Sequence, residues 1–166
     1  MSCSLRPVGR AQRARLERLT AATGLFRPAE VATAVEVLDE AVAGDDDYRF
    51  VGAYEGDELV GYACWGPTPG TEGTHDLYWI VVDPTRHRRG VGTALLQEVE
   101  RRLATDGARL LVAETSSRPD YGLTRGFYEK RGFTRAATIP GYYAPGDDLV
   151  IYLKDLANGV LARAAS

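Results

Sequence analysis

The sequence predicts an α+β fold, a mixed and mostly antiparallel sheet with helices packed on it. Three observations predict it. Apolar residues switch between a two-residue and a helical period along nearly the whole chain, in the order β-α-α-β-β-β-α-β-α-β-β. Short turns, Gly56-Asp57 and Ala144-Pro145-Gly146-Asp147, join consecutive strands as hairpins. One stretch alone, from His75 to Thr115, reads as a strand–helix–strand crossover.

Each element has a local reason. Cys3 to Val8 reads as a short edge strand, the only place in a sheet that tolerates Pro7. Arg10 to Thr23 carries Leu16 and Leu19 among charged residues, a solvated helix ended by Gly24. Pro28 suits a first helical position, and Val31, Ala34, Val35, Leu38 and Val42 follow at helical spacing up to Gly44. Tyr48–Glu55 and Glu58–Gly66 flank the Gly56-Asp57 turn, and Gly66–Gly73 is a turn-rich loop. His75–Val82 is the most apolar strand and so belongs near the sheet centre, with Asp83-Pro84 stopping it. From Gly90, Val91, Leu95, Val99 and Leu103 recur every four residues until Asp106-Gly107. Arg109–Thr115 is a buried strand, Asp120–Arg131 a helix capped by Gly132, and Thr134–Tyr143 and Asp148–Leu153 the closing strands.

The 166 residues suit one domain, spanning 1–156, with 157–166 as a loose tail. At 45% hydrophobic content, a chain of this length buries roughly 70% of its unfolded surface without disulfides or a structural metal. Twenty basic against 23 acidic residues give a net charge of −3, which argues against a dedicated nucleic-acid binder. The longest apolar run, Leu77–Val82, falls far short of the ~20 residues of a membrane helix. Met1 to Arg6 contains no apolar signal region, so a cytoplasmic location is expected. Cys3, Cys64 and two histidines are too few for a zinc cluster or a disulfide framework, and no metal is expected.

The chemistry concentrates between Leu77 and Leu96. A buried strand ends at Pro84, the basic turn Arg86–Arg89 follows, and Gly90 and Gly92 open a helix. Glycine lets the backbone approach a ligand closely, while free N–H groups and the helix dipole favour an anion, most naturally a phosphate. Flanking arginines add charge-assisted bonds. A Walker loop would need Gly-Lys-Ser/Thr, and no Lys follows Gly92. A dinucleotide fold would place its glycines after the first strand, and here Leu95 stands where its third glycine would be.

His87-Arg-Arg-Gly-Val-Gly92 resembles the Gln/Arg-x-x-Gly-x-Gly/Ala signature of the GNAT superfamily of acyl-CoA-dependent N-acetyltransferases, departing from it only at His87. Phe127-Tyr-Glu-Lys-Arg-Gly-Phe133 resembles that family's later Tyr-Glu-x-x-Gly-Phe block, and the element order matches from about residue 3 to 154. The resemblance implies a three-layer fold with a splayed sheet of six to seven strands and about four helices. It implies acetyl-CoA as co-substrate, with main-chain bonds from Ile80, Val81 and Val82 to the pantetheine arm. Arg88, Arg89, Gly90, Val91, Gly92 and Thr93 would cradle the pyrophosphate, and Tyr128 would protonate the departing thiolate. The implied reaction is direct attack of a neutral amine on the thioester, with a backbone N–H near Val82 polarising the carbonyl.

An alkyl ammonium has a pKa near 10 in water, so the reaction needs a base. The candidates are Asp76 at the head of the fourth strand and Glu114 at the end of the fifth, with Asp76 preferred; each is alternatively a solvated strand-end carboxylate. Cys64, Trp65 and Trp79 read as core, His75 and His87 as surface and turn residues, and Asp45–Asp47 as a solvated loop. In this fold the acceptor is surrounded by Thr23–Pro28, Gly66–Gly73 and Tyr142–Asp148. Tyr142, Tyr143, Asp147 and Asp148 suit a small cationic amine. Hence the expected activity is acetylation of a small-molecule amine, with no nucleic-acid or membrane partner and homodimerisation left open. The alternatives are a protein or peptide acceptor and a non-catalytic acyl-CoA-binding module.

Overall fold

The computed structural model describes residues 3–87 and 89–157. Seven strands form one sheet in the order β1-β2-β3-β4-β5-β7-β6. They are β1 (Ser4–Arg6), β2 (Arg49–Glu55), β3 (Glu58–Pro67), β4 (Thr74–Val82), β5 (Leu110–Ser116), β6 (Thr134–Ala144) and β7 (Asp147–Asp155). Four helices accompany them: α1 (Arg13–Ala22), α2 (Pro28–Val42), α3 (Val91–Thr105) and α4 (Gly122–Lys130). The β4–β5 pair is parallel, and β1–β2, β2–β3, β5–β7 and β6–β7 are antiparallel. The mixed, mostly antiparallel sheet is the one the sequence predicts, with the apolar β4 fourth of seven.

The described residues fall into two compact units. One holds the residues up to Gly66 together with Tyr78–Leu103; the other holds Pro67–Leu77 and the residues from Ala104 on. In the first, Leu16 and Leu19 of α1 and Ala34, Val35 and Leu38 of α2 pack with Phe50, Tyr62, Cys64 and Val81 of the strands. Fully burying one such aliphatic side chain contributes about 1.5–3 kcal/mol. Thr20 is buried on the inner face of α1, and its hydroxyl is satisfied by Leu16 O at 2.8 Å and the Tyr62 hydroxyl at 2.7 Å. Trp65 is fully buried, whereas Trp79 is half-buried against the core.

Helix α3 buries Val91, Leu95, Leu96, Val99 and Leu103. Its first turn lies tight on β3 because Gly61 has no side chain. A Cβ there would stand 2.8 Å from the Val81 carbonyl oxygen, 3.2 Å from Val91 and 3.3 Å from Leu95. The second unit is built on rings: Tyr128 of α4 lies 5.1 Å from Phe133 and 5.7 Å from Tyr152 of β7, centroid to centroid.

Boundaries differ from expectation at two places. Strand β1 stops at Arg6, since Pro7 has no N–H to offer the ladder; its carbonyl accepts the Tyr54 hydroxyl at 2.9 Å. The last hairpin turns on Pro145 and Gly146 alone, Gly146 taking φ +79°, so Ala144 and Asp147 belong to strands β6 and β7 rather than to the turn. The tail residues 158–166 lie outside the described residues.

Gly61→Ala should cost about 1–3 kcal/mol, because the nearest neighbour is backbone and cannot step aside. An urea-unfolding midpoint equal to that of the parent would contradict the close packing of α3 on β3.

Candidate active site

In the first unit, β4 delivers Ile80, Val81 and Val82 to a tightly fixed turn. The Asp83 N–H donates to Val60 O at 2.8 Å. Its carboxylate accepts from the Thr85 N–H at 2.9 Å and the Thr85 hydroxyl at 2.8 Å, capping the 3-10 turn Pro84–Arg86. Arg15 adds an ion pair at 2.9 Å while also donating to Leu59 O at 3.0 Å. Burial works to raise the Asp83 pKa, but the Thr85 donors and Arg15 outweigh it and hold the carboxyl below its ordinary range.

The basic turn is itself divided in role. Arg86 is bound to Glu55 at 2.9 Å, whereas Arg89 is 4.0 Å from the same carboxylate and half-exposed. His87 is an exposed turn residue with a ring nitrogen 3.3 Å from Val82 O. Gly90 takes φ +80° with nothing near a would-be Cβ, so glycine is required there by conformation rather than by space. The Ala94 N–H donates to Gly90 O at 2.9 Å, closing the first turn of α3. Val91 and Gly92 thereby occupy the first helix positions, whose N–H groups have no intrahelical acceptor, and Thr93 follows them. Arg88 lies outside the described residues.

In the second unit the parallel register pairs Asp76 with Val112 and ends at Leu77–Ala113. Glu114 is two residues beyond Val112, so Asp76 and Glu114 share one face of the sheet. The Asp76 carboxylate accepts a 2.6 Å hydrogen bond from the Thr68 hydroxyl. Protein surrounding the Glu114 carboxyl raises its pKa above an ordinary carboxylate, and the negative charge of Asp76 raises it further. Tyr143 comes from β6 toward the same carboxylate; burial first, then the charge of Glu114, push its hydroxyl up to about 12.

Tyr128 is almost fully buried, and burial drives its phenol well above 10, which keeps the proton on at neutral pH. Its ring packs on Phe127, Phe133 and Tyr152. Asp147 and Asp148 serve the hairpin instead of presenting open charges. Asp147 is 7% exposed, accepts from the Ser116 hydroxyl and lies 3.9 Å from Arg118. Asp148 accepts the Gly141 N–H at 2.8 Å. Their carboxylates are thus already bonded within the hairpin and its neighbours. Thr68, in the Pro/Gly-rich loop before β4, is the participant that residue type and spacing did not reveal. Cys64 is fully buried, and its thiol is pushed up by burial alone.

Comparison with known proteins places these features in a family. The model of the acetyltransferase (GNAT) family matches residues 16–133, and the chain belongs to that family. A solved GNAT-family protein from Desulfovibrio desulfuricans is 43% identical, with a TM-score of 0.88 over 94% of this chain and all of that one (100%). N-alpha-acetyltransferase RimI of Mycobacterium tuberculosis is 30% identical over 137 residues, 72% of this chain and 82% of RimI. S-(2-succino)cysteine N-acetyltransferase of Bacillus subtilis is 29% identical over 72 residues, 43% of this chain and 44% of that protein. The chain spans less than half the length of two of its curated relatives, 44% and 40%. Solved structures of the same fold at 16%, 18% and 19% identity hold acetyl-CoA or coenzyme A.

Asp83→Ala removes the cap of the turn and the partner of Arg15, and should cost about 1 kcal/mol at pH 7. Because the folded-state carboxyl is depressed, its contribution is present above the unfolded carboxylate pKa and fades as pH falls through the folded one. The gap between variant and parent should therefore narrow in acid, and a gap independent of pH would refute the charged cap.

Proposed function

We propose that the chain is an N-acetyltransferase moving the acetyl group of acetyl-CoA to the primary amine of a small molecule, with residues 1–156 acting as one transferase domain in the cytoplasm. The observation that carries this reading is the Asp76–Glu114 pair, two carboxylates on one sheet face with Tyr143 beside them. A paired acid site attracts an ammonium and also supplies a base for it. Support for the co-substrate comes from family membership and from the turn ending in Gly90, whose helix start suits a pyrophosphate. Arg88 and Arg89 would add positive charge there, and Val91, Gly92 and Thr93 their N–H groups. The main chain of Ile80, Val81 and Val82, at the end of β4, would bond the pantetheine arm.

The steps follow from the residues. Glu114, whose proton affinity is raised by burial and then by the charge of Asp76, takes the proton of the acceptor ammonium, with Asp76 on the same face as the alternative base. The freed nitrogen attacks the thioester carbonyl, a C–N bond forms, and a backbone N–H near Val82 meets the charge on oxygen. As the C–S bond breaks, Tyr128 gives its proton to the thiolate. The nitrogen then loses a second proton, Tyr128 regains one, and one proton in all is released to water.

A peptide N-terminus is the second reading, favoured by the similarity to RimI over 82% of that enzyme. Pools of amino acids, polyamines, aminoglycosides and short peptides, offered with acetyl-CoA while free thiol is followed, separate the readings. Release with a small-amine pool is expected; release with peptides alone would establish the second reading. Acetyl-CoA binding without any release would instead point to a binding module. Tyr128→Phe should lower kcat by about 10²-fold and leave the Kd for acetyl-CoA unchanged. Unchanged kcat would remove Tyr128 from the mechanism.

A further inference from the structure

The loop before β4 does more than connect two strands. Thr68 is anchored three ways: its N–H donates to Thr74 O at 2.9 Å, its carbonyl accepts the Thr71 hydroxyl at 2.7 Å, and its own hydroxyl donates to Asp76 at 2.6 Å. With the loop backbone held at both sides, that hydroxyl is aimed at one carboxylate oxygen rather than free to choose another partner. Asp76 in turn shares its sheet face with Glu114 through the Asp76–Val112 register.

We propose that Thr68 is a positioning residue for the transfer: its hydroxyl fixes the orientation of the Asp76 carboxylate on the sheet face it shares with Glu114, and so holds that group in place beside the base. The proposal rests on the reading of Glu114 as the base. A hydrogen bond to a fixed donor holds a carboxylate in one orientation. Burial and then the charge of Asp76 raise the proton affinity of Glu114, so where the Asp76 carboxylate is held matters to Glu114. The groups facing Glu114 from the packed elements are Asp76 on β4 and Tyr143 on β6; its partner on β7 is the uncharged Ile151. Tyr143 keeps its proton through neutral pH, so Asp76 is the charge that varies the outcome.

The test is a carboxyl 13C NMR titration of Glu114 in the full chain without any acceptor, its signal assigned by its loss in Glu114→Gln. Asp76→Asn removes the charge and should move the Glu114 midpoint to lower pH. Thr68→Val should move it in the same direction by a smaller amount, since the Asp76 carboxylate is then no longer held in place beside Glu114, and Thr68→Ser should restore the parent midpoint. A parent-like midpoint in Thr68→Val, an equal shift in Thr68→Ser, or no shift in Asp76→Asn would each overturn the proposal. If Thr68→Val folds poorly, Thr68→Ala carries the same expected shift and the same refutation by a parent-like midpoint. The expected shifts in a protein that releases no thiol with any amine would uphold the coupling of Thr68 to Glu114 and overturn the transferase reading instead.

Discussion

The parallel register between β4 and β5 pairs Asp76 with Val112, and the candidate acid pair depends on it. It sets Asp76 and Glu114 on one face, and a slip of one residue would turn Glu114 to the opposite face. Further along β4, Ile80, Val81 and Val82 lead into the turn capped by Asp83.

Fixing the helix start that follows takes two different forces. Sterics act at Gly61, where the absence of a Cβ lets Val91 and Leu95 of α3 sit against β3. Electrostatics act at Asp83, which joins the turn to Arg15 of α1 and is tied by its own N–H to β3. Glu55 restrains Arg86 closely and Arg89 only loosely, so the second arginine keeps more freedom to meet an anion. The turn is thus held rigidly at its strand side and left charged at its helix side. A charged turn already held in place would need little reorganisation to meet an anion.

Much of this could be read from residue order because the deciding signals are local. Pro28 at a helix start, Gly56-Asp57 at a hairpin, the four-residue recurrence from Val91 to Leu103 and the glycine at position 90 each impose a conformation on their own neighbours. What could not be read depends on partners distant in sequence. Asp147 looked like an open acid and is instead closed off by Ser116, 31 positions earlier. Thr68 is an unremarkable threonine until β4 folds back and brings Asp76 to its hydroxyl. The burial of Glu114 and the donor to Asp76 likewise could not be read from position, since both come from segments distant in sequence.

Strand β6 lies at the end of the sheet, and every residue from Thr134 to Tyr143 is exposed. Such an edge ordinarily invites another chain to add a strand. Here Pro140 lacks the N–H that an added strand would need, and the Gly141 N–H is already given to Asp148. The pairing with β7 is also irregular between Ile139 and Ala144. The longest strand of the protein is consequently interrupted as a template for intermolecular stacking, a safeguard against aggregation at the sheet edge where Ile139 and Tyr142 face water.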